Sequence, residues 1–130
     1  MSSSRPHTVA ALVEVAAEAI RAANHRTLAP GQLLVPEVYT VLGDLSALAW
    51  RLPQLHEQLA RNLQHRHTAG GLRLDVDGER RYPDPGHAMA DAVQALEAAA
   101  QAAHHLAAAV DHAHNAVAVI ADHAPRGPRQ

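Results

Sequence analysis

Apolar residues recur at spacings of three and four over three long stretches of the chain, the period of helices packed along one side. The first, about residues 6–24, carries Val9, Leu12, Val13, Ala16, Ile20 and Ala23, and Pro6 suits a first helical turn. The breaker-rich connector NHRTLAPGQLLVP follows. The second helix spans about residues 36–68. Written as a heptad from Val38, it holds Val38, Leu45, Leu52 and Leu59 at a, and Val41, Leu48, Leu55 and Asn62 at d. An interior proline forfeits a hydrogen bond and clashes with the preceding turn, at about 3 kcal/mol. Because the apolar phase persists beyond Pro53, the reading is one helix kinked near residue 53. The third helix, about residues 85–123, places Met89, Leu96, Ala103, Val110 and Val117 at a, with alanine at most d, e and g positions. Small residues along a seam let a partner backbone approach closely.

Joined by the loop 69–84, the second and third helices predict a long antiparallel hairpin. At 1.5 Å per residue it is about 50 Å long. In the loop, Leu72, Leu74 and Val76 alternate with polar residues ahead of Asp77-Gly78. That pattern allows a small β-hairpin on a type I′ turn, although an isolated pair of strands is marginal in water. Away from the a and d positions, the second helix changes character at Pro53. Tyr39, Gly43, Ser46, Ala47 and Trp50 precede it; Gln54, Glu57, Gln58, Arg61 and Gln64 follow. The small and aromatic half predicts a second neighbour, and the first helix has the length to supply it. The expected fold is all-α, a single helical domain over residues 1–130. It comprises a long antiparallel helical hairpin with a shorter N-terminal helix forming a three-helix bundle at one end.

Composition narrows the function class. Hydrophobic types make up 48% of the chain, yet aromatic content is 2% and phenylalanine is absent, which favours helix over strand. With no cysteine there is no disulfide and no thiolate metal site. No apolar run approaches the ~20 residues needed to cross a bilayer, so no membrane is expected as partner. The start MSSSRPHTVAAL lacks the pattern of a secretory signal, and a cytoplasmic location follows as the default. A net charge of −2 without a basic stripe argues against nucleic acid.

Eleven histidines are the candidate chemistry. In AHHLAAAVDHAHNAV no two are three or four residues apart, the spacing that lets one helix chelate a metal. The chain also lacks a glycine-rich phosphate loop, a nucleophile in a recognisable turn and a carboxylate cluster. The reading is therefore not an enzyme, with no catalytic residue, no metal ligand and no cofactor. In HRHTAGGL, Gly70 and Gly71 read as helix terminators. His56 and His114 occupy e positions and are the buried polar candidates, each expected to bond a backbone carbonyl or a hydroxyl. Antiparallel pairing puts His114 near Tyr39 and Thr40. Full protonation of the histidines moves the formal charge from −2 to +9, so a histidine-based metal- or pH-responsive regulator stands as the alternative function.

The main functional expectation comes from the leucines. Leu52, Leu55, Leu59 and Leu63, with Trp50 beside them, form a ridge that alanine on one neighbouring helix leaves partly wet. Each leucine fully buried contributes about 1.5–3 kcal/mol, so a partner is favoured: the chain itself, as a homodimer, or another protein. A non-enzymatic protein–protein interaction or structural module is the result.

The run VPEVYTVLGDLSALAWRLPQLHEQLARNL, followed by a glycine-containing loop and an alanine-rich helix ending in DHAHNAVAVIADH, resembles small uncharacterised actinobacterial proteins. Some of these are associated with plasmid or integrative-element gene clusters. The resemblance covers most of the chain and implies an accessory role in a mobile element. It brings no catalytic residue with it.

Overall fold

A computed structural model describes residues 8–123. The helices are α1 (Val9–Arg26), α2 (Val35–Thr68), α3 (Val76–Arg81) and α4 (Pro85–Val117), with no strand among the described residues. The chain divides into two units, residues 1–34 with α1 and residues 35–130 with the other helices.

In the first unit, the hydroxyl of Thr8 accepts the N–H of Ala11 at 3.1 Å and starts α1 at Val9. The assignment of Pro6 to a first turn lies outside the described residues. No residue of α1 is buried, and Leu12, Val13 and Ile20 stand exposed along its apolar stripe.

In the second unit, α2 runs unbroken through Pro53. It stops where the sequence places a terminator: Gly70 adopts φ +74°. The N–H of Gly71 reaches the carbonyl of Arg66 at 2.9 Å, and that of Gly70 reaches His67 at 3.0 Å. These paired bonds satisfy carbonyls that the helix end would otherwise orphan.

The β-hairpin allowed for the loop is not formed; residues 76–81 are the short helix α3. A type I′ turn needs positive φ at both central residues, and Gly78 has none. Instead the carboxylate of Asp75 accepts the N–H of Gly78 at 2.7 Å, an N-cap that turns the following residues helical. Leu72 and Leu74, whose alternation suggested a strand, are half-buried and line a small groove with Leu63 and Met89.

At the start of α4, Pro85 follows the N-cap Asp84, whose Oδ1 accepts from the N–H and from Nδ1 of His87, both at 2.9 Å. The His87 ring bond, and then its backbone N–H, hold the Asp84 carboxyl below its ordinary value of 3.8. Folding thus favours the ionised form. Its contribution to stability is complete above the ordinary value and is lost as the pH falls through the lower folded one. Asp84→Asn keeps an acceptor oxygen but does not titrate. The melting temperature of the native chain should therefore fall toward that of Asp84→Asn as the pH is lowered from about 5 to about 2. A gap between the two that stays constant with pH would refute the assignment.

The last helix ends at Val117 rather than about residue 123. The reason is long-range: the Asp122 carboxylate accepts the N–H of Val35, the first residue of α2, at 2.8 Å. One of the unpaired donors of that helix end is thereby satisfied, and the negative charge sits at the positive end of the helix dipole. Residues beyond Val117 reach it only by leaving the helix.

Helices α2 and α4 pack antiparallel. Tyr39 stacks on His114, Trp50 meets His104 edge-on, and Gly86 lies beside His67, so contacts advance along one helix as they retreat along the other. The buried residues are Ser46, Ala49, Pro53 and Ala60 on α2, and Val93, Ala100, Ala103 and Ala107 on α4. On α2 these are the b and e positions. The inward stripe is thus one residue, about 100°, away from the leucine-bearing a positions. Small side chains bring the two backbones close, and a leucine seam would hold them apart.

This rotation corrects the side assigned to a second neighbour. Ser46 bonds Asp111 at 3.4 Å, a Cβ at Gly43 would stand 3.2 Å from Nε2 of His114, and Tyr39 and Trp50 meet α4 as well. These four residues therefore face α4.

Candidate docking face of the helical hairpin

The two seam histidines find different partners. Nδ1 of His56 donates to the carbonyl of Leu52, one turn back on its own helix, at 2.8 Å. His114, half-buried, stacks on Tyr39 with ring centroids 4.1 Å apart and planes at 20°. The Thr40 hydroxyl, its other candidate partner, donates to the carbonyl of Pro36 at 3.1 Å. His67 is also half-buried, and the remaining described histidines are exposed. Among the described residues, no three histidines and carboxylates come together to hold a metal ion. Near α3, the Tyr82 hydroxyl donates to Asp91, and this bond raises its pKa above the ordinary 10.0.

A helix pair has two flanks, and here they differ in chemistry. One is polar: Trp50 lies against His104, and Glu57, Arg61 and Gln64 border a shallow groove with Glu97. The other carries the leucine-bearing a positions of α2 beside the d and g positions of α4. Trp50, 50% exposed, is two residues from Leu52 and hence about 200° around the helix, so it stands apart from the leucines. Leu52, Leu55 and Leu63 are half-buried, and Leu59 is 42% exposed. Leu63 lies at the loop end, where Leu72 and Leu74 share its groove.

Across the helix pair from Leu52, Leu55 and Leu59, α4 presents the exposed residues Ala95, Ala102, Leu106 and Ala109. Read along the chain alone, these alanines belong to the seam rather than to the surface. A sign was present, because every g position of α4 is alanine, while a helix packed on one side alone needs polar residues there. At the opposite end from the loop, Val35, Tyr39, Val117, Ile120 and Asp122 line an open groove of about 730 Å³.

Comparisons with protein-family models, with curated proteins and with solved structures gave no match. No helix among the described residues is long and apolar enough to cross a membrane.

Proposed function

We propose that the chain is a non-enzymatic protein–protein interaction module and that the leucine-and-alanine flank of the α2–α4 hairpin is its docking face. One observation carries this reading: large apolar side chains, including Val41, Leu59 and Leu106, are 42–49% exposed on one flank of an otherwise well-paired hairpin. Contiguous apolar surface of this kind, rimmed by polar residues, marks sites where proteins meet. The sequence resemblance adds a setting to the proposal, an accessory role in an actinobacterial mobile element.

Capture from an extract of the bacterial host tests the face. The tagged native chain should retain a protein that Leu59→Glu loses, whereas Trp50→Ala, on the polar flank, should retain it. Equal recovery by the native chain and Leu59→Glu would overturn the assignment.

A further inference from the structure

We propose that the occupant of this flank is a second copy of the same chain, joined by a two-fold axis into a four-helix bundle. The inference rests on the docking reading above and names its partner. Its basis is the height at which large and small residues lie. In the hairpin, residues at one level have numbers that add to 153 or 154, as Tyr39 with His114 and Trp50 with His104. By that rule Leu45 is level with Ala109, Leu52 with Ala102 and Leu59 with Ala95. Three successive heptads thus set a leucine on α2 level with an alanine on α4.

A two-fold axis running along the hairpin preserves these heights and lays α2 of one copy over α4 of the other. Each leucine then faces the alanine at its own level in the other copy, and the reverse contact is made at the same time. Such an interface is isologous, and at the a positions of α2 it sets large side chains against small ones. A partner recognised by charge has nothing to hold here. The a and d positions from Val41 to Leu59, and the d and g positions from Ala92 to Ala116, contain no charged residue.

The available area fits. From Val41 to Leu59 the flank is about 30 Å long at 1.5 Å per residue, and two helices make it about 20 Å wide. Its projection, roughly 600 Å² before side-chain relief is counted, approaches the ~800 Å² of accessible surface that each partner buries in a standard interface.

Light scattering and sedimentation on the full chain at about 1–300 μM give the test, since dissociation constants of specific pairs fall within or below that range. The native chain should reach twice its mass of 13.8 kDa. Ala102→Glu, at an exposed position away from the seam, should keep its helical circular dichroism and weaken association at least 100-fold. Gln101→Glu, its neighbour on another face, should leave association unchanged. Because the chain has no cysteine, a second readout is direct: mixing Leu52→Cys with Ala102→Cys chains under mild oxidation should give a disulfide-linked mixed dimer. A native chain that is monomeric at the highest concentration, or a dimer indifferent to Ala102→Glu, overturns the second copy as occupant. If the native chain is monomeric but Leu59→Glu still loses a captured protein, the docking reading stands and only its self-pairing falls. If capture is also insensitive to Leu59→Glu, both fall.

Discussion

Ala107→Leu should destabilise the hairpin by about 1–3 kcal/mol, the usual cost of forcing extra methylenes into a filled core. Ala107 has 0% of its surface exposed and belongs to the buried stripe of α4. Alanine and leucine are both strong helix formers, so the loss reflects packing rather than propensity. The neighbouring Ala108 is exposed and points about 100° away, so Ala108→Leu should change stability by less than about 0.5 kcal/mol. Thermal unfolding of the pair decides the matter, with 1 kcal/mol corresponding to a shift of roughly 4–8 °C in a domain of this size class. Equal melting temperatures would show that the two helices are not held together by the alanine seam.

Pro53→Ala is expected to stabilise the chain, by about 1 kcal/mol. The proline lacks the N–H that would pair with the carbonyl of Ala49, a residue only 2% exposed, and its ring crowds the preceding turn. Against alanine, a proline inside a helix costs about 3 kcal/mol. The replacement also removes two buried ring methylenes, each worth about 0.8 kcal/mol. The backbone gain exceeds the packing loss. Denaturant unfolding measures the balance, and amide exchange at residue 53 reports whether the restored bond forms. A stability loss of similar size would mean that the ring fills the seam better than this balance allows.

The end of α2 and the start of α4 were legible because their signals are local. Asp84-Pro85 marks the start of α4, and the glycine pair at 70–71 marks the end of α2, from side-chain and backbone bonds made within a few residues. The level of His114 with Tyr39 was legible too, since antiparallel pairing of two helices of nearly equal length leaves little freedom in their heights. Residues 72–81 were misread because two local programmes competed. Alternating leucines favour a strand, whereas the Asp75 cap favours a helix, and the cap prevails where no second strand pairs with the first. The end of α4 was overestimated because the bond that draws the tail away, from Val35 to Asp122, joins residues 87 apart in the sequence that meet at one end of the hairpin.

The facing of α2 is the deeper lesson. Its sequence carries two stripes, one of leucine at a and d and one of Ser46, Ala49, Pro53 and Ala60 at b and e. Hydrophobicity ranks the first higher and by itself would turn it inward. Helix type, helix length and antiparallel height are properties of single segments or of their ends, and so they can be read along the chain. The choice between stripes is made jointly by two surfaces: the alanines of α4 admit a close neighbour only where α2 is also small, and this leaves the leucines at the edge.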